Sequence, residues 1–204
     1  MTHAPLVLSF DTSTSQCSVA LMRGPNLLGH HNSEMARGQT ENLLVICQDM
    51  MAAAGQDVSA LEAVGVGIGP GNFTGIRISV SAARGLALGL GVPAVGVSSF
   101  EALRYGTQGP CACAIDARRD QVFLQIFDAQ GTASDPTLEA MAALPAFDGP
   151  LIGHGGARPQ MPFAQAICHV AAARFRSNPE HPAPLYIKPA DAAPARDAAP
   201  RILT

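Results

Sequence analysis

The chain predicts an α/β fold. Strand-like and helix-like segments follow one another in the order βββ-α-β-α-β-α, which suggests a meander of antiparallel strands leading into parallel ones. The central stretch 65–90 is the second observation: an apolar run breaks into Gly-Pro-Gly-Asn-Phe-Thr-Gly, and a long segment of small and aliphatic residues follows. The third is composition. At 204 residues and 48% hydrophobic, the chain can bury a core of one domain or two small lobes.

Three strands come first, at 6–10, 16–22 and 27–32. They are separated by Thr12–Ser15 and by Arg23-Gly24-Pro25-Asn26, both of which are turn chemistry. A helix is expected at 40–54, a buried strand at 63–68, a helix at 75–90, a strand at 93–97 and a short helix at 99–104. Between the fourth strand and its helix, Gly69 and Gly71 free the turn, Pro70 fixes one φ angle, and Asn72 or Thr74 supplies the cap. Strands follow at 111–115 and 121–127, then a short helix at 138–144, a short strand at 150–153 and an alanine-rich helix at 163–175. The expected organisation is a full lobe over 1–108, a reduced lobe over 109–188, and an Ala/Pro-rich tail over 189–204 that reads as extended or disordered.

Charge and motif content narrow the function classes. The net charge of −3 gives no nucleic-acid affinity from charge alone. Cys17, Cys47, Cys111, Cys113 and Cys168 are odd in number and form no C-x-x-C pair, so they read as reduced thiols. The first apolar run is too short for a signal-peptide core, and 86–97 is broken by Gly89, Gly91 and Pro93. A cytoplasmic protein with no membrane association is expected. The histidines form neither H-x-x-x-H nor H-E-x-x-H, and no G-x-S-x-G elbow occurs. No metal, no cofactor and no catalytic residue is assigned.

Two features invite a functional reading. A strand, a glycine-rich turn and a helix N-terminus make a natural anion site, and Asp11, Thr12 and Ser13 at the first strand turn, with Gly71, Asn72 and Thr74, could hold phosphate. The alternative is that Asp11 and Thr12 satisfy backbone donors in their own turn. A helix N-terminus gives an anion about 0.3–1 kcal/mol, whereas binding at 1 mM requires about 4 kcal/mol. The GPGNFT loop alone therefore cannot hold a nucleotide. The second feature is the helix pair. In the first helix Leu43, Leu44, Cys47, Met50, Met51 and Ala54 form an apolar stripe; in the second, Ile76, Val80, Ala83, Ala87 and Leu90 make one face and Ile78, Ala82 and Leu86 another. Helices apolar on two sides are either sandwiched in a large core or shared with a second chain. The shared interface is the expectation, with Leu43, Leu44, Cys47, Met50, Met51, Ile76, Val80 and Leu90 as its apolar contacts and Arg77 and Arg84 as its polar ones.

Five blocks resemble the TsaB (YeaZ) family: Phe-Asp-Thr-Ser-Thr at 10–14, GPGNFTGIR at 69–77, GLALGLGVPAVGVSS at 85–99, DARRDQVF at 116–123 and PLYIKPADA at 184–192. The resemblance implies an actin-like ATPase fold, of the hexokinase and Hsp70 type, with a reduced C-terminal lobe. It also implies a non-catalytic subunit. Such a subunit pairs with TsaD, and with the ATPase TsaE in a ternary complex, for threonylcarbamoyl transfer to N6 of adenosine 37 in tRNAs reading codons that begin with A. The family's pairing surface maps onto 40–54 and 74–90; the isolated chain is expected to be a homodimer, and tRNA to be met through the complex. Two departures are present. Gln39-Thr40-Glu41-Asn42-Leu43-Leu44-Val45 lacks the histidine common in relatives, and Gly153-His154-Gly155 stands where Gly-Asp-Gly is usual. The rival function is an active actin-like phosphotransferase using Asp11 and the GPGNFT loop.

Overall fold

The computed structural model describes residues 3–34, 39–177 and 181–187. The tail 189–204, and with it the end of the 184–192 block, lies outside the described residues.

The first sheet contains β1 (Leu6–Asp11), β2 (Gln16–Arg23), β3 (Asn26–Glu34), β4 (Ala63–Gly67) and β5 (Ala94–Val97), in the order β3-β2-β1-β4-β5. β1, β2 and β3 pair antiparallel, and β4 and β5 run parallel to β1. This arrangement of a meander followed by parallel strands is that of the actin-like fold.

Alternation along the strands decides what covers each face. Leu6, Leu8 and Phe10 of β1, with Cys17, Val19 and Leu21 of β2, point to the side covered by α1 (Gln39–Ala53) and α2 (Phe73–Leu90). Val7, Ala20 and Met22 point to the other side, where α4 (Phe163–Arg174) packs with Ala164, Cys168 and Ala171. These three residues are small, which lets α4 approach the sheet. The Ser9 hydroxyl donates to the Ala164 carbonyl at 2.6 Å.

The second sheet holds β6 (Cys111–Arg118), β7 (Gln121–Phe127), β8 (Thr137–Ala140) and β9 (Leu151–Gly153) in the order β8-β7-β6-β9. Cys111 and Cys113 share a buried cluster with Phe100, Phe123 and Phe127. Between the sheets, α3 (Ser99–Arg104) starts in a capping box formed by Ser98 and Glu101. All five cysteines are free and buried, and burial pushes the Cys47 and Cys168 thiols up to about 12. They are packing residues.

Two expectations are corrected. The segment 138–144 is no helix: Thr137–Ala140 pairs with β7, and only Met141–Ala143 forms a single 3-10 turn. Ladder bonds to an available edge outweigh the weak helical preference of this short, alanine-containing run. The helix expected at 163–175 within the second lobe packs instead on the first sheet. An ion pair between Arg174 and Glu101 ties its end to α3.

Candidate functional site

Asp11 ends β1 and is 1% exposed. Its Oδ2 accepts from the Ser13 N–H and the Ser13 hydroxyl, both at 3.0 Å. Its Oδ1 is buried and accepts no hydrogen bond. Burial raises the carboxyl from an ordinary 3.8 to about 6, against the lowering effect of the two Ser13 donors.

The glycine-rich loop closes over this turn. Asn72 N–H donates to the Ser13 carbonyl at 2.6 Å, and the Thr12 hydroxyl donates to the Gly75 carbonyl at 2.7 Å. The Asn72 side chain caps α2 by accepting from the Gly75 N–H at 2.9 Å. A Cβ on Gly75 would collide with the Thr12 carbonyl, and one on Gly71 with the Ser13 carbonyl. These glycines are required by close backbone approach. The structure thus brings Asp11, Thr12, Ser13, Gly71 and Asn72 together, but as a loop-on-loop contact whose donors serve the chain's own carbonyls. Thr74 is exposed on the first turn of α2.

A raised carboxyl pKa means that the folded state holds the Asp11 proton more tightly than the unfolded one. Its contribution to stability is fully present below about pH 4 and is lost as pH rises through about 6, amounting to about 3 kcal/mol. Asp11→Asn keeps the acceptor for Ser13 and removes the charge. Its melting temperature should match that of the parent near pH 4 and exceed it by several degrees at pH 7.5. The difference between the two proteins is the quantity to measure, since exposed His30 and half-buried His169, both lowered by partial desolvation, act oppositely in each. An Asn variant less stable at pH 7.5 would contradict this account.

The helix pair is corrected residue by residue. Leu43, Cys47, Met50, Met51, Ile76 and Val80 are not surface residues; they form the core between the helices and the first sheet. The stripe read as an interface is the inward stripe, because the five-stranded sheet supplies the large apolar face that it needed. Leu90 is half-buried against the same core. Leu44 stays outside at 52% exposed, as do Arg77 and Arg84. Arg77 lies 3.8 Å over the Phe73 ring and donates from Nε to the Tyr186 hydroxyl at 3.0 Å. Exposed apolar residues beyond the expected interface set include Val45 at 53% and Leu88 at 85%. Helical spacing could have found them: Arg77, Ser81, Arg84, Gly85 and Leu88 lie opposite the buried stripe of α2, and Leu44, Val45, Gln48 and Ala52 face outward on α1.

The turn 153–156 leaves His154 exposed. At the β6–β7 hairpin, Arg118, Arg119 and Asp120 take left-handed φ values of 64°, 52° and 57° in solvent. Among the described residues, no group of three His, Cys, Asp or Glu side chains could hold a metal ion. No described helix is long and apolar enough to cross a membrane.

The family model described as TsaD, tRNA N6-adenosine threonylcarbamoyltransferase, matches residues 28–151. A tRNA threonylcarbamoyladenosine biosynthesis protein TsaB from Escherichia coli is 35% identical over 122 residues, covering 57% of this chain and 52% of that protein. YeaZ from Pseudomonas aeruginosa superposes with a TM-score of 0.71 at 29% identity, covering 89% of this chain and 99% of that structure. The chain belongs to the TsaB/YeaZ family. Its match spans about half the length of the TsaB-named relatives from Escherichia coli and Haemophilus influenzae. An uncharacterized protein of Mycobacterium tuberculosis is 30% identical over 202 residues, covering 92% of this chain and 94% of that protein. In this TsaB/YeaZ chain the Asp11 turn is closed by the glycine-rich loop, and the outward faces of α1 and α2 expose Leu44, Val45 and Leu88.

Proposed function

We propose that this chain is a non-catalytic subunit of the machinery that makes threonylcarbamoyladenosine in tRNA. It pairs with TsaD through the outward faces of α1 and α2, joins TsaE in the assembled complex, forms a homodimer when alone, works in the cytoplasm and meets tRNA only through the complex. The names of its relatives support the pathway. The observation that carries the subunit reading is the exposure of Leu88, Leu44 and Val45 on one helical layer. Gly85 and Gly89 lie open beside them on α2, with nothing near the position that a Cβ would take, so a partner helix could approach closely. Arg84 rims this patch with a charge that could select a partner.

The phosphotransferase alternative is disfavoured by the Asp11 turn. A phosphate cradle must present free N–H groups and a carboxylate able to reach a metal-bound phosphate. Here the Asn72 N–H and the Thr12 hydroxyl already serve backbone carbonyls, and Asp11 is enclosed.

The test is complementation of a bacterium depleted of its own TsaB, with threonylcarbamoyladenosine in bulk tRNA measured by mass spectrometry. The wild-type chain should restore the nucleoside, and Asp11→Ala should restore it to the same level. Loss of the nucleoside with a folded Asp11→Ala chain would refute the non-catalytic reading in favour of the phosphotransferase. Failure of the wild-type chain alongside a functioning control TsaB would refute the pathway assignment.

A further inference from the structure

Arginines that lose exposure on folding normally keep their donors occupied, because a guanidinium removed from water without a partner is costly. Three arginines are half-buried among the described residues. Arg23 donates to Gln56 Oε1 at 2.7 Å. Arg174 is paired with Glu101. Arg104 has neither kind of contact: among the described residues it makes no ion pair, and its Nε is buried without an acceptor. Its guanidinium lies 5.0 Å over the Phe127 ring. It also passes so near the backbone that a Cβ on Gly131 would stand 2.9 Å from Nη2.

The surroundings make Arg104 part of a cavity. It lines a groove of about 520 Å³ together with Tyr105, Thr107, Gln108 and the Arg174–Glu101 pair. Tyr105 is held by stacking on His169, with ring centroids 5.2 Å apart and planes 9° from parallel. The Thr107 N–H donates to the Arg104 carbonyl at 2.8 Å, which fixes the turn that carries Thr107 into the groove. The ionised side chains of the lining are two arginines and one glutamate, and that glutamate is committed to Arg174. What remains is one uncommitted guanidinium, two hydroxyls and an amide. Hydroxyl and amide donors beside a planar cationic fork suit an oxyanion, which a guanidinium grips through two parallel hydrogen bonds.

We infer that the groove between the end of α3 and the end of α4 is an oxyanion site, in which Arg104 binds a phosphate or carboxylate group with Thr107 and Tyr105 as neighbouring donors. The groove lies at the start of β6 and the end of β7. It is thus at the opposite end of the second sheet from the β6–β7 hairpin, and it shares no lining residue with the Asp11 turn or the α1–α2 face.

Arginine side-chain NMR on the full chain tests the site, with inorganic phosphate and acetate titrated separately at constant ionic strength. The Arg104 Nε–H signal should shift saturably with at least one probe, while exposed Arg84 follows only the bulk salt response. Saturation by phosphate alone assigns a phosphate ester, and saturation by acetate alone assigns a carboxylate ligand. Arg104→Gln should weaken the binding by about tenfold or more, as loss of a charge-assisted hydrogen bond implies. Thr107→Val, which leaves the arginine in place, should weaken it less and serves if Arg104→Gln does not fold. An Arg104 signal that moves no more than that of Arg84 with either probe overturns the inference. So does saturable binding that survives Arg104→Gln.

Discussion

Leu88→Asp should leave the chain folded and abolish its pairing with TsaD. Leu88 is 85% exposed, so the carboxylate costs the isolated chain almost nothing. In a complex the position would be covered. A specific interface buries about 800 Å² per partner, and its energy is concentrated in a few central groups. An unpaired buried carboxylate costs several kcal/mol, against about 8 kcal/mol for a whole micromolar complex. Co-purification with co-expressed TsaD should fall to background, and threonylcarbamoyladenosine should disappear from tRNA in the complementation strain. The light-scattering mass of the isolated variant should fall to that of one chain, and its melting curve should overlay the parent's. A Leu88→Asp chain that still pairs and complements would place the interface elsewhere.

Val80→Asp should do the reverse, destroying the fold itself. Val80 is 4% exposed and sits among the side chains that join α2 to the first sheet. Forcing a carboxylate there costs several kcal/mol in desolvation and in lost apolar packing. Domains of this size have about 5–15 kcal/mol in total. The variant should be insoluble, or should lose its cooperative melting transition by circular dichroism. Met51→Lys, on the facing helix of the same cluster, should behave alike. These two substitutions separate a core stripe from an interface stripe. If Val80→Asp melts like the parent and loses only its partner, the assignment of the inward face is wrong.

Much of this molecule is written locally. The antiparallel meander shows itself in the three strand-like runs at 6–10, 16–22 and 27–32 and in the turn residues 12–15 and 23–26 between them. Of the two caps that the sequence offers for α2, Asn72 and Thr74, Asn72 caps the helix, which starts at Phe73 rather than at 75. The strands at 111–115 and 121–127 are legible as apolar runs, and both form and pair. Family membership was equally legible, since it rests on blocks of contiguous residues.

Other features depended on partners distant in sequence. Periodicity places Val80 and Met51 on a stripe, yet a stripe carries no record of what will cover it. The first sheet took that stripe, leaving Leu44, Val45 and Leu88 outside. The helix 163–174 joins β1 and β2 across some 150 residues of chain, a contact that no local pattern encodes. The run 137–140 became a strand because β7 offered an edge. Closure of the Asp11 turn by Asn72 and Gly75, and the stranding of Arg104 over Phe127, likewise arise only when separate segments meet. The sequence by itself determined the elements, their caps and the family, because backbone propensity and side-chain periodicity act within a few residues. Only the tertiary structure decided which faces are buried, which site is closed and which charge is left without a partner, because burial and pairing are properties of neighbours that the chain brings together from afar.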